Sequence, residues 1–249
     1  MILLLDIGNT NTHVGLANAK RVVRHRNIPT DELLHGKAGK AISTLVGKTK
    51  IEGAAISSVV PRATRPALAL ISQRWGVGAL VLTAQTVTRV GVDYPQPETI
   101  GADRLANAAA AKQKFGAPSV VVDFGTAVTF DVIDRRGNYV GGIIAPGLAA
   151  MTGYLHEKTA LLPRIEIRET KAALGKSTEE AMLVGAVHGY RGLVRELIAG
   201  LKKRLNCPAL PVVATGGYAK LIAKGLPEIT AVEPILTLEG LRLVYFDRA

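Results

Sequence analysis

The chain opens on an unbroken apolar run, Ile2-Leu3-Leu4-Leu5, that stops at Asp6, and midway along a second run, Val120-Val121-Val122, stops the same way at Asp123. Short runs of this kind, bounded by Gly, mark strands buried on both faces, and the alternating segments after them read as the next strands. The first half predicts strands over 2–7, 12–18 and 20–28 and a helix over 31–47 capped by Thr30 or Asp31. A strand over 51–58, a helix over 62–75 and a strand over 79–83 follow. The polar, Pro-bearing stretch 93–98 reads as a loop, and the Ala-rich run 102–114 as a helix ended by Phe115-Gly116-Ala117-Pro118. The second half predicts strands over 118–123, 127–134 and 139–145, with a turn at 135–138, and helices over 147–160 and 177–204. It closes on a strand over 210–214, a helix over 217–225, a short strand near 230–233 and a helix over 237–247.

The repeated order of elements divides the 249 residues into two related halves, 1–115 and 116–249, with a cleft expected between them. Hydrophobic residues make up 48% of the chain but aromatics only 4%, so the core is built from Val, Ile, Leu and Ala, which favours an α/β fold. No 18-residue apolar run is present, so no membrane span is expected, and the opening run reads as a strand rather than a signal peptide. The single cysteine, Cys207, excludes an internal disulfide and points to a cytoplasmic protein. The net charge of +11 raises nucleic acid as a partner, with Lys20, Arg21, Arg24, Arg26, Lys37, Lys40, Lys48 and Lys50 crowded together. No aromatics are interleaved with these bases, so they read instead as a solvated surface that also attracts anionic substrates.

The chemistry sits at the ends of the two apolar runs. In Asp6-Ile7-Gly8-Asn9-Thr10-Asn11-Thr12-His13, a Gly turn lets backbone N–H groups approach a phosphate, and Asn9, Thr10, Asn11 and Thr12 add side-chain donors. Asp6 is placed to hold Mg²⁺, directly or through water. Alone, such a turn is an ordinary hairpin. Its recurrence as Asp123-Phe124-Gly125-Thr126-Ala127 makes the functional reading the better one. A third turn, Thr215-Gly216-Gly217, opens a helix after a Val-rich strand, and Gly141-Gly142 with Pro146-Gly147 flanks another strand. In Gly101-Ala102-Asp103-Arg104, at a helix start, Asp103 can accept a hydroxyl proton and Arg104 can fork onto a carboxylate or phosphate. On spacing alone, Asp103 would do no more than complement the helix dipole. The five histidines show no ligand spacing.

These motifs, in this order from Met1 to the final helix, resemble the type III pantothenate kinases of the acetate-kinase, sugar-kinase, Hsp70 and actin superfamily. The resemblance implies two ribonuclease-H-like halves, ATP-dependent phosphorylation of pantothenate at its terminal hydroxyl towards coenzyme A, and a homodimer. By the same resemblance, residues 6 to 13 and Thr126 bind ATP, and Asp103 is the general base. Tyr94, Gly101, Ala102, Arg104 and Thr178 contact pantothenate, and Asp123 holds a monovalent cation, K⁺ or NH₄⁺. The competing readings are a kinase for another hydroxy acid or sugar, a phosphatase acting on polyphosphate, and a non-catalytic regulator with a DNA-facing basic surface. The intact Gly-Ala-Asp-Arg segment argues against the first two, and the retention of Asp103 and both phosphate turns argues against the third.

Overall fold

Each apolar run becomes the central strand of its own sheet. In the computed structural model, which describes residues 1–248, β1 (Ile2–Ile7) pairs antiparallel with β2 (Asn11–Ala17) and parallel with β4 (Gly53–Ser58). With β3 (Val22–Pro29) and β5 (Ala79–Val81) the strand order is β3-β2-β1-β4-β5. The second sheet contains β7 (Ser119–Phe124), β8 (Ala127–Ile133), β9 (Asn138–Pro146), β10 (Val212–Thr215) and β11 (Ala231–Val232). With β6 (Gly91–Val92) at the edge beside β9, its order runs β6-β9-β8-β7-β10-β11, again with an antiparallel hairpin on one side of the central strand and parallel strands on the other. The repetition in the sequence is thus a repetition of one ribonuclease-H-like topology.

Contacts divide the chain into one unit of residues 1–116, 137–140 and 235 onward, and another of residues 117–136 and 141–234. In the first unit β1 is buried on both faces, which is why it carries no alternation. Leu3, Leu5 and Ile7 pack with Val14 and Leu16 against α2 (Ala38–Val46) and α3 (Pro61–Trp75). The other face takes α4 (Ala102–Phe115) and α9 (Leu236–Arg248), with Leu238 seated against Gly15. A division at residue 115 assigns α9 to the second half, but α9 packs in the first unit. Gly240 lies on the Ala106 backbone, the Glu239 carboxylate accepts the Val22 N–H at 3.0 Å, and Arg89 pairs with Asp247. In the second unit β7 has the same both-face burial, and α5 (Leu148–Lys158), α6 (Thr178–Val184), α7 (Tyr190–Arg204) and α8 (Ala219–Ala223) complete the helices.

Three elements differ from the sequence reading. The helix expected over 31–47 is two, α1 (Thr30–Leu34) and α2, because Gly36 at φ +71° takes the chain out of the helix between them. Neither Thr30 nor Asp31 caps α1, whose N-cap is Pro29. The helix expected over 177–204 is interrupted by a π-helical turn at Gly185–Gly189. Within the loop region, residues Gly91–Val92 form a short strand, β6, that pairs in parallel with Asn138 and Tyr139, and Pro97–Thr99 form a 3₁₀ turn.

Candidate active site

In the first unit, two sequence motifs meet at the carboxyl ends of the parallel strands β1 and β4, where open α/β sheets bind their ligands. The Gly8 N–H donates to the Asn11 carbonyl at 3.0 Å and closes the first turn. The start of α1 pins that turn from below. The Thr30 hydroxyl donates to the Gly8 carbonyl at 2.7 Å, and the Thr30 N–H to the Thr10 carbonyl at 3.0 Å. With its proton so used, the Thr30 hydroxyl accepts from Thr12, at 3.0 Å. This leaves Asn9, Thr10 and Asn11 exposed at the tip, while Ile7 and Thr12 are fully buried. Thr12 therefore supports the turn and does not offer its hydroxyl to a phosphate, and Ile7 can contribute only backbone. His13 stacks edge-on to His25, with Nε2 3.0 Å from Nδ1. Burial first, then the neighbouring His25, lowers the His13 pKa to about 4. In register, His13, Asp6 and Ser57 lie side by side across β2, β1 and β4, and so share one face.

The second motif reaches the same sheet end. The Val59 N–H donates to the Ile7 carbonyl at 3.1 Å, and Gly101 lies against the Val59 side chain. Gly101 is the N-cap of α4, so Asp103 falls in its first turn, where Oδ1 accepts the Arg104 N–H at 2.8 Å. Burial raises the Asp103 pKa above the usual carboxylate range, against the lowering effect of that N–H and of the Arg104 charge. A carboxylate made more basic in this way is suited to accept a proton from an alcohol. The Arg104 guanidinium lies over the Tyr139 ring, 5.6 Å from its centre, and the Tyr94 ring meets Tyr139 edge-on at 6.1 Å.

The second unit gathers three turns. The Gly125 N–H donates to the Ala127 carbonyl at 3.1 Å, leaving Gly125 and Thr126 exposed at the tip. The Gly147 N–H donates to the Thr126 carbonyl at 3.2 Å, and a Cβ at Gly147 would strike the Gly125 and Thr126 carbonyls, so only glycine fits there. Gly216, at φ +88°, stands so near the Asp123 carboxylate and the Phe124 backbone that a side chain is excluded. Thr178 opens α6 just after its N-cap, Ser177. The Ser177 hydroxyl accepts the Glu180 N–H at 3.2 Å, and the Glu180 carboxylate accepts the Lys176 N–H at 2.7 Å. Thr178 lines an apolar cavity of about 430 Å³ with Leu148, Thr152, Met182, Gly185 and Ala186. Leu148 directly follows Gly147, so this cavity adjoins the second turn. Tyr190 braces both, its ring 6.4 Å from Phe124 and its hydroxyl donating to the Pro146 carbonyl at 3.2 Å.

The family model of type III pantothenate kinases matches residues 2–200. The chain belongs to that family. A type III pantothenate kinase of Akkermansia muciniphila is 46% identical over 244 residues, 97% of this chain and 96% of that protein. One from Methylacidiphilum infernorum is 42% identical, over 98% of this chain and 87% of that protein. Among solved structures, a conserved putative Baf family transcriptional activator from Campylobacter jejuni aligns with a TM-score of 0.64 at 20% identity, covering 99% of this chain and 98% of that one. A putative N-acetylmannosamine kinase from Listeria monocytogenes aligns at 0.54 and 12% identity, covering 99% of both chains. At such identities these structures show the fold alone.

In this type III pantothenate kinase family member the sequence motifs meet in each unit: residues 6 to 13 with Gly101 to Arg104 in the first, Asp123 and Thr126 with Gly147 and Gly216 in the second. Two participants escaped the sequence reading. Thr30 seemed a helix cap, and its partners Gly8 and Thr12 lie far from it in sequence. Tyr139 belongs to no motif, and its neighbours come from two other stretches of chain.

Proposed function

We propose that the protein transfers the γ-phosphoryl group of ATP to the terminal hydroxyl of pantothenate, the first step towards coenzyme A. The observation that carries this reading is Asp103, held at the start of α4 with its pKa raised by burial, in a chain that matches the pantothenate kinase family over residues 2–200. Phosphoryl transfer asks for positioning and charge neutralisation more than for covalent help. The hydroxyl oxygen attacks the γ-phosphorus as the bond from phosphorus to the β,γ-bridging oxygen breaks. ADP leaves, and the hydroxyl proton passes to Asp103 and then to solvent. Arg104 pairs with the substrate carboxylate, and Tyr94 flanks it. The turn amides of residues 8 to 11, with Thr126, hold phosphate oxygens.

Among the described residues no group of three or more His, Cys, Asp or Glu could hold a metal ion. That suits Mg²⁺, which keeps most of its water and takes phosphate oxygens with one or two carboxylates. Asp6 is the residue to hold it through water, and the ion supplies neutralisation of the β- and γ-phosphates. The Asp123 carboxylate, near the end of β7 and beside Gly216, is the group to hold a monovalent cation, K⁺ or NH₄⁺. Met151 and Leu155, which line the Thr178 cavity, are exposed, as are Tyr154, Leu161 and Leu174 in the same unit, and exposed apolar residues grouped in this way mark a contact surface. We assign this face to a second copy of the chain in a homodimer, with Thr178 near the contact. No helix of the described chain is long and apolar enough to cross a membrane, and a kinase drawing on ATP works in the cytoplasm. Asp103→Asn tests the reading: a folded variant with near-wild-type turnover would remove Asp103 from the chemistry.

A further inference from the structure

Tyr139 lies outside every motif that the reaction draws on, yet its placement is the most constrained of any aromatic near Asp103. It is 1% exposed in a chain with only six tyrosines. Residues 137–140 leave the second unit's run of chain and pack within the first. Two anchors hold them there. The Lys112 ammonium, from α4, donates to the Gly137 carbonyl at 3.0 Å. Gly91 and Val92 pair with Asn138 and Tyr139, and the Asp93 N–H donates to the Tyr139 carbonyl at 3.0 Å. The backbone of Tyr139 thus fixes the start of the loop that carries Tyr94. Its ring then touches both substrate-side groups, the Arg104 guanidinium over its face and the Tyr94 ring at its edge.

A guanidinium on a long aliphatic stem has many rotamers, and ordering it for a carboxylate costs side-chain entropy. An aromatic face in a buried setting removes that freedom before the substrate arrives, because the ring quadrupole attracts the cation. We propose that Tyr139 is a positioning residue that presets Arg104 and Tyr94 for the carboxylate end of the acceptor, and so sets the preference for an acid over the corresponding alcohol. This inference rests on the assignment of Arg104 to the substrate carboxylate. It acts through binding, so it moves KM for the acid and spares kcat, which depends on Asp103 and the phosphate turns.

The test is steady-state kinetics with pantothenate and with its carboxyl-reduced alcohol, at saturating ATP, on four proteins. These are the wild type, Tyr139→Phe, Tyr139→Met and Arg104→Ala. Tyr139→Phe keeps the ring and holds KM for pantothenate within about threefold. Tyr139→Met fills the space without a quadrupole and raises it roughly tenfold, the size of a partly desolvated cation–π contact. In that variant kcat and KM for ATP stay within about twofold, and the acid-over-alcohol preference falls by the same roughly tenfold. Should Tyr139→Met not fold, pentafluorophenylalanine at this position keeps the ring's shape, reverses its quadrupole and is expected to reproduce the loss. An unchanged preference in the ring-altered protein, with Arg104→Ala having lost it, overturns the role of Tyr139 alone. An unchanged preference in Arg104→Ala overturns the assignment of Arg104, and the inference with it.

Discussion

Gly240→Ala adds one methyl group where α9 crosses α4. At the present helix separation that carbon would lie 2.5 Å from the Ala106 carbonyl carbon and 2.9 Å from its Cα. Both are backbone atoms that cannot swing aside, and the Ala106 carbonyl oxygen is nearer still, so the helices must part by about 1 Å, which forfeits about half of the dispersion energy of each contact widened. The contacts at stake are well packed: Leu105 and Ala109 of α4 and Leu238, Leu241 and Val244 of α9 are at most 1% exposed. Overpacking of this kind costs about 1–3 kcal/mol, and a backbone clash belongs at the upper end. Against it stands the helix propensity of Ala over Gly, about 1 kcal/mol. Strain wins by about 2 kcal/mol, which for a chain of this size lowers Tm by about 4–8 °C. The control is Gly200→Ala in α7, where an added methyl meets nothing within 4 Å. There only the propensity acts, and stability rises by up to about 1 kcal/mol. Thermal or urea unfolding of the two variants, side by side, reads the opposite signs. Equal shifts, or a stabilised Gly240→Ala protein, would refute the close approach of α9 to α4. Because α4 carries Asp103, the same variant is expected to lose turnover as well, through a displaced base.

Asp103→Asn preserves the acceptor for the Arg104 N–H and lowers kcat by about 100- to 10,000-fold. Since burial is what raises the Asp103 pKa, the charge is a burden on the folded state above that pKa, so the variant melts no lower than wild type near pH 8; a lower melting point would count against the burial. In the wild type, kcat falls as pH drops through the raised Asp103 pKa, and that limb disappears in the variant. His13 resists protonation in the folded state, with a pKa near 4 against 6.5 unfolded. Stability is therefore full above pH 6.5 and lost as pH falls toward 4, by about 2–3 kcal/mol after allowance for partial exposure. Urea midpoints across that range check this, and a His13→Gln variant with the same slope would exclude His13 as its source. Activity rises with K⁺ or NH₄⁺, and Asp123→Ala weakens the response; identical rates in Na⁺ and K⁺ buffers would dismiss the cation. Light scattering at assay concentration is expected to report a dimer, and a fully active monomer would remove the second copy from the account.

The central strands were legible because β1 and β7 are buried on both faces and so carry unbroken apolar runs, a pattern that depends on nothing distant. The break between α1 and α2 was not, since a lone Gly36 within a helical period is compatible with either outcome. The return of α9 to the first unit was hidden for a different reason: an apolar stripe shows that a helix is covered but not by what. At the site, the two Asp-Gly turns stood out by their recurrence, while Asp103 became a base only through family resemblance, because spacing alone made it a helix-terminus charge. The inward turn of Thr12 was readable, as Thr12, Val14 and Leu16 keep the period of two that marks a buried face. The attraction of a hydroxyl for a phosphate obscured it. Tyr139 had no local signal, because what defines it is the meeting of Tyr94, Arg104 and the 137–140 segment.

Pantothenate phosphorylation is read out by ADP release from ATP and Mg²⁺ in the presence of K⁺, with and without pantothenate, followed by mass spectrometry of the acceptor. ADP release is expected to depend on pantothenate and to match, mole for mole, its conversion to a monophosphate at the terminal hydroxyl. Release that ignores pantothenate, or that responds instead to a sugar or another hydroxy acid, would contradict this activity.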